Sequence, residues 1–445
     1  DLPLLAETSG KNAIVVTPSA DFDLAVKDIV ASAFGHAGQK CSAASLVVLV
    51  GSVARSRRFL DKLVDAASSL TVGPADNAAT QLGPVITTPA GKLLRALTEL
   101  GDGERWLLAP RRIDDAGRLW TPGIRTGVRR GSWFHRTECF GPVLGVMTAA
   151  TVGDAIATVN DVDFGLTSGL HSLDPADIDV WLRDVQAGNL YVNRGITGAI
   201  VRRQPFGGWK KSSVGPGAKA GGPSYLIGLG SWEAMPALSR TRTFAPAVRR
   251  FLDAARGALD DNDVTVLERS AGSDADAWVD VFRARDVSGL WAERNVLRHV
   301  PTAVTVRLAE GEAVVSLLRV VAAGVLADAP LTVSAPPSLP DDVRAVVAGV
   351  AEVLLQTDRE WLAYAAAELP TRVRLLGGSP GALAHATDGR PEMSVWSGPA
   401  TEAGRVELLP FLREQSISIT AHRYGAPATD LRGSAKFLRD PRSSD

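Results

Sequence analysis

One cysteine in this chain stands in a setting that suits covalent chemistry. The stretch "FGHAGQKCSAAS", residues 34–45, places Cys41 behind a glycine-containing turn and ahead of small residues. Such a loop can present a side chain at a helix N-terminus, where the local dipole favours a thiolate. Lys40 adds positive charge beside it, and Ser42, Ala43 and Ala44 leave room for a substrate. A thiolate so placed would act as a nucleophile. The same residues also suit a small buried hydrophobe, the common role of a lone cysteine. The local sequence leaves both readings open.

The elements that would hold this loop alternate between strand and helix. "NAIVVT" reads as a strand before the helix "DFDLAVKDIVASAF", with Asp21 as its cap. "SLVVLVG" precedes a second helical stretch, "VARSRRFLDKLVDAASSL". "VGDAIATVNDV" and "PADIDVWLRDVQAG" have helical spacing, and "GNLYVN" reads as a strand. This alternation predicts an α/β domain with a largely parallel sheet. After an interruption, "WEAMPALSRTRTFAP", the alternation resumes with strands "AVTVRL", "LTVSAP" and "RVRLLGG". Helices are expected over "VVSLLRVVAAGVLA" and over "PDDVRAVVAGVAEVLLQ". The C-terminal "RDPRSSD" reads as a frayed tail.

Bulk composition excludes several classes. The chain has 445 residues, 45% of them apolar and 22% charged, room for two or three globular domains. A formal charge of −1 supplies no electrostatic reason to expect nucleic acid or anionic membrane as a partner. The two cysteines, Cys41 and Cys139, make no disulfide framework, no metal-site spacing occurs, and a reducing cytoplasmic setting fits. The six histidines are scattered without ligand-like pairing, His36 being the one placed to line an approach to Cys41. The apolar run "AVVSLLRVVAAGVLADAP" contains Arg319 and Asp328 and reads as a buried helix rather than a span. The opening has no signal-peptide pattern, lacks Met and starts in mid-pattern, as a piece of something longer would.

Four ordered motifs carry a resemblance. "ETSGKN" (7–12), "GQKCSA" (38–43), "ECFGPVLGV" (138–146) and "PFGGWKKS" (205–212) resemble the signatures of aldehyde dehydrogenases, with a family-like separation of 34 positions from Glu7 to Cys41. The resemblance covers roughly residues 1–235. It implies that Cys41 adds to an aldehyde carbon, that hydride leaves to NAD, and that a thioester remains. Glu7 would activate the hydrolytic water from a partly desolvated pocket, and the Cys41 amide would help hold the oxyanion. Glu138 would hydrogen-bond the nicotinamide ribose, with Phe140 packing on the cofactor. Cys139 is expected to pack.

The stretch "NRGITGAIVRRQPFGGWKKSSVGPGAKAGGPSYL" (193–226) resembles the substrate-anchoring segment of 1-pyrroline-5-carboxylate dehydrogenases, which oxidise glutamate γ-semialdehyde to glutamate. By that resemblance Ser42, Gly198 and Ala199 would grip the substrate's α-carboxylate, and Phe206 would pack on its methylene chain. A hydroxyl and two consecutive amides suit an anion. The family's cofactor-binding half, which would precede Glu7, is not in this sequence, so the resemblance implies weak NAD binding by these residues alone. The alternatives are a dehydrogenase of another carboxylated semialdehyde and a catalytically inactive structural or assembly module.

Beyond about residue 240 the chain resembles the C-terminal domain of long bifunctional proline utilization A proteins. In these a flavin-dependent proline dehydrogenase precedes the aldehyde dehydrogenase, so FAD would belong to the N-terminal region of such a parent. The expected organisation is a catalytic half over 1–235, a linker over 236–250, and a non-catalytic Rossmann-like α/β domain over 251–445. In that domain, His422 falls about where Glu7 falls in its own unit. The implied partners are a small-molecule substrate and further copies of the chain in a homo-oligomer.

Overall fold

The computed structural model describes residues 4–233, 235–236, 243–286, 288–420, 422–423 and 426–427. The chain forms two compact units. Of the described residues, one unit contains those of Glu7–Ser213, Arg285–Leu297 and from Gln415 onward; the other contains Leu4–Ala6 and those of Val214–Ala284 and Arg298–Glu414. This division differs from the expected boundaries. Residues 214–235 join the second unit, while 285–297 and 415–420 return to the first. Residues 246–250, expected in the linker, open a helix, Pro246–Ala255, with proline in its first turn, where a missing amide costs least. Residues 237–242 of the linker and the C-terminal tail lie outside the described residues.

The first unit is built on strands β1 (Asn12–Val16), β2 (Ala44–Val50), β3 (Arg105–Leu108), β4 (Gly123–Thr126), β5 (Val143–Ala149), β6 (Thr167–His171) and β7 (Asn189–Val192). Their order across the sheet is β7-β6-β1-β2-β5-β4-β3, parallel except for the antiparallel β3. Ser416–Ile419 extends the sheet in parallel beyond β7, and Arg285–Asp286 pairs antiparallel with Val296–Leu297. The central strand β1, "NAIVV", is buried at every position, as a strand covered on both faces requires. Its longer helices are α1 (Phe22–Phe34), α2 (Arg57–Ser68), α3 (Val152–Asn160) and α4 (Pro175–Asp184), with the shorter Gly91–Thr98 and Trp133–Arg136 between α2 and α3. Asp21 caps α1 as expected, its carboxylate accepting from the amides of Asp23 and Leu24. Ala25, Val26, Ile29, Val30 and Ala33 then line one face of α1 and pack with Ile14, Val16, Val47 and Leu49 of the strands.

The second unit holds a five-stranded parallel sheet: β8 (Val304–Leu308), β9 (Leu331–Ala335), β10 (Glu352–Leu355), β11 (Arg372–Leu376) and β12 (Ser394–Trp396). Its order, β10-β9-β8-β11-β12, reverses direction between β8 and β11, the doubly wound Rossmann-like arrangement. The single helix expected over 340–356 is instead a helix, α5 (Asp341–Ala348), followed by β10. Gly349 ends the helix, and Glu352–Leu355 gains a full parallel ladder beside β9, which outweighs helical spacing. The apolar run around Arg319 is the buried helix Val314–Ala327. Arg319 is tolerated there because its guanidinium donates to both Asp274 carboxylate oxygens at 2.7 and 2.8 Å. Among the described residues, no helix is long and apolar enough to cross a membrane.

Candidate active site

Cys41 sits in a turn between a short 3-10 segment, Gly35–Gly38, and strand β2. It does not head a helix, so no helix dipole assists it. The sulfur is half-buried, and its acidity falls below that of an ordinary thiol. Burial is the main cause, and the carboxylates of Glu7 and Glu138 add to it. Hydrogen bonds from the amides of Ser42 and of Cys41 itself act the other way. The leading charges on the sulfur are therefore two carboxylates. A nucleophile in this environment rests as a thiol and needs a base.

The loop's shape follows from a run of left-handed backbone. His36, Ala37 and Gly38 all have positive φ. At Gly38 a Cβ would lie 2.3 Å from the Gly141 carbonyl oxygen, so only glycine lets the 38–41 loop meet the 138–141 loop. Gln39 Nε2 donates to the Phe140 carbonyl at 3.1 Å across the same seam. Phe140 itself adopts φ 56°. His36 is exposed.

Glu7 and Glu138 flank Cys41 in the sequence, and the charge of each bears on its sulfur. Glu7 Oε2 accepts from the Gly208 amide at 2.7 Å, which ties "ETSGKN" to "PFGGWKKS". Glu138 Oε1 accepts from the Gly10 amide at 3.0 Å, which ties "ETSGKN" to "ECFGPVLGV". Glu7 is exposed, not partly desolvated as expected. Glu138 and Phe140 are half-buried and line one small cavity with Gly10, Lys11 and Cys139. Cys139 is buried there, its thiol acidity lowered by desolvation, as a packing cysteine would be.

Ser42 is buried, and its carbonyl accepts from Thr167 Oγ1 at 3.4 Å. Gly198 and Ala199 are exposed at the tip of the loop that follows β7, with Gly198 at φ 79°. Phe206 is half-buried next to Pro205, whose carbonyl accepts from Asn189 Nδ2. The motif residues around Cys41 thus interlock, while the 198–199 tip stands out from the scaffold.

Two residues were missed as site elements in the sequence. Asn12 opens β1 with its side chain buried, and Nδ2 donates to the carbonyls of Cys41 (2.7 Å) and Ala43 (2.9 Å). Its Oδ1 accepts from the Thr167 amide at 3.1 Å. A polar residue directly before the apolar run "AIVV" was the available signal. Lys11 is 3% exposed, with Nζ 4.1 Å from the Phe134 ring centre and without a hydrogen-bond partner among the described residues. Burial holds its pKa down to about 8. Among the described residues, no group of three or more His, Cys, Asp or Glu side chains is placed to hold a metal ion.

Known proteins share much of this sequence. The 1-pyrroline-5-carboxylate dehydrogenases of Geobacillus kaustophilus and Bacillus subtilis are each 40% identical to this chain over 225 residues, half of this chain and 43% of theirs. The structure of proline utilization A from Corynebacterium freiburgense matches 95% of this chain and 40% of its own, at 43% identity and a TM-score of 0.80. This chain therefore spans less than half the length of the relatives it matches. The model described as "Aldehyde dehydrogenase family" matches residues 2–227, just over half of the 445 residues and the stretch that holds Cys41, Glu7 and Glu138. The chain belongs to the aldehyde dehydrogenase family.

Proposed function

We propose that this chain carries the acylation and hydrolysis machinery of an NAD-dependent L-glutamate γ-semialdehyde dehydrogenase of proline catabolism. The observation that carries the reading is the convergence on Cys41 of Glu7 and Glu138, each held by a backbone amide. Its relatives of that name support the substrate, and the Corynebacterium protein supports a parent in which proline oxidation supplies it.

In this reading the half-buried Cys41 thiol gives its proton to solvent water as sulfur adds to the aldehyde carbon. The amides of Cys41 and Ser42, now on the sulfur, lie beside the place where the carbonyl oxygen gains charge. Bound NAD would supply the hydride acceptor that turns the adduct into a Cys41 thioester. Glu138 and Phe140 would hold the ribose side of that cofactor: the Gly10 amide fixes the carboxylate, and both residues line the same small cavity. Glu7 then takes a proton from the attacking water, and the thioester splits into a carboxylate and the free thiol. Being exposed and pinned by Gly208, the Glu7 carboxylate is open to water at a fixed position. Gly198 and Ala199, with Ser42, grip the substrate carboxylate. A small-molecule aldehyde as partner and assembly into a homo-oligomer belong to the same reading.

An activated ester tests the chain without cofactor, since acylating Cys41 from 4-nitrophenyl esters needs no hydride acceptor. Burst release of nitrophenol, with an acyl adduct on Cys41 by mass spectrometry, is the expected result, and Cys41→Ser abolishes it. No adduct on the wild-type chain points to the structural module instead. NADH formation by the full-length parent at equal glutamate and succinate semialdehyde concentrations then decides the substrate, with glutamate semialdehyde expected to win.

A further inference from the structure

We infer that Gln204 is a positioning residue for substrate selection: it locks the 198–200 tip onto the strand segments around Glu293–Asn295 and Ser418. This rests on the reading above that Gly198 and Ala199 hold the substrate carboxylate.

An exposed glycine-containing tip is a poor anion receptor unless its amides are fixed, because ordering them on binding costs affinity. The loop's first end is fixed in the scaffold. Asn193 exchanges two hydrogen bonds with the Ser172 backbone (3.0 and 2.8 Å), and the Ile196 amide donates to Ser32 Oγ at 3.1 Å. The other end turns back on itself, the amides of Arg203 and Gln204 donating to the Ile200 carbonyl at 3.0 and 2.9 Å.

Gln204 closes this turn from its side chain. Its Oε1 accepts from the Ile200 amide at 2.9 Å, one residue beyond Ala199. Its Nε2 donates to Glu293 Oε1 at 3.0 Å and to Asn295 Oδ1, with Ser418 Oγ 3.2 Å away. Arg194, at the loop's first end, sends Nη1 to the same two groups, Glu293 Oε1 at 2.9 Å and Ser418 Oγ at 2.7 Å. Both ends of the loop therefore meet on one carboxylate oxygen and one hydroxyl.

These partners are deeply placed, with Gln204 2%, Asn295 1% and Ser418 0% exposed. A buried network with its donors and acceptors matched is rigid and costly to disturb. Glu293, Asn295 and Ser418 come from the stretch 251–445 that the sequence assigns to a non-catalytic domain, yet they belong to the same compact unit as Cys41. That stretch thus contributes to selectivity without touching substrate.

The test compares acylation of Cys41 in the full chain by a carboxylate-bearing ester, 4-nitrophenyl hydrogen glutarate, and a neutral one, 4-nitrophenyl butyrate. Wild type should prefer the carboxylate ester. Gln204→Met, which keeps the volume and removes the hydrogen bonds, should lower that preference about tenfold or more. The loss should fall on half-saturation for the carboxylate ester, together with faster hydrogen exchange at the Ile200 amide. Should this variant not fold, Ser418→Ala, which removes only a hydroxyl, carries the same comparison with the same expected direction. A folded variant with wild-type preference overturns the inference. A wild-type chain with no preference overturns instead the assignment of Gly198 and Ala199, and this inference with it.

Discussion

The Gly208 amide and the Glu7 carboxylate, 201 positions apart in the chain, share a hydrogen bond of 2.7 Å. A Cβ at 208 would stand 3.2 Å from the same Glu7 oxygen and 2.5 Å from Ser212 Cβ, so glycine is what admits the carboxylate this closely. The contact fixes where Glu7 sits relative to Cys41. It also makes the charge of Glu7 a standing influence on the sulfur.

Neutralising that charge should make Cys41 more acidic. Glu7 opposes thiolate formation more than Glu138 does. We expect Glu7→Gln to move the midpoint of the pH–rate profile for iodoacetamide alkylation of Cys41 downward, and Glu138→Gln to move it less. The same Glu7→Gln variant should accumulate the acyl-enzyme, with deacylation slowed about a hundredfold or more. An unchanged alkylation midpoint would show that the two groups do not share a site.

At Gly198 the constraint lies in the backbone. A built Cβ finds nothing within 4 Å, but φ is 79°, a region that L residues enter at a cost of roughly 1–3 kcal/mol. Gly198→Ala and Gly198→Leu should therefore behave alike. Both should raise KM for glutamate semialdehyde, and half-saturation for the glutarate ester, far more than for uncharged substrates. Equal losses on both substrate types defeat the carboxylate assignment.

Asn12 bonds three backbone groups, one of them the Cys41 carbonyl. Asn12→Ala leaves them unmatched in a buried position, a destabilisation on the order of 3 kcal/mol. Urea denaturation should show it. Acylation of Cys41 should slow in the fraction that remains folded, because the turn loses its tether.

Lys11 gives a pH dependence of definite sign. Its folded pKa of about 8 lies below the ordinary lysine value, so between about pH 8 and 10 the unfolded chain binds the extra proton. Stability from this residue therefore rises with pH across that window. It is lowest, by roughly 3 kcal/mol, once pH falls below 8. Lys11→Met should remove the rise: the difference in unfolding free energy between variant and wild type should favour the variant at pH 7 and shrink toward pH 10.

Much of the framework was readable in the residues. Asp21 before an apolar repeat announces α1, and the unbroken "AIVV" and "LVVLV" runs announce strands covered on both faces, because local backbone preference and burial agree there. "AEVLLQ" misled because helical and strand spacing coincide over a few residues, and only the vacant edge beside β9 decided between them. Linear order likewise concealed the unit boundaries. Segments 285–297 and 415–420 follow the sheet they extend, not their neighbours in sequence.

The sequence by itself named the candidate groups for the chemistry: a lone thiol in a small-residue turn, two motif carboxylates, and a glycine-rich tip. Tertiary structure alone decided their state. Cys41 leads into a strand and feels two carboxylates, so it rests protonated where its neighbours in sequence suggested a thiolate. Gln204 acts on residues about 90 and 210 positions away, which no local pattern announces. Side-chain type sets what a group can do, but field, burial and distance arise only once remote segments are packed together.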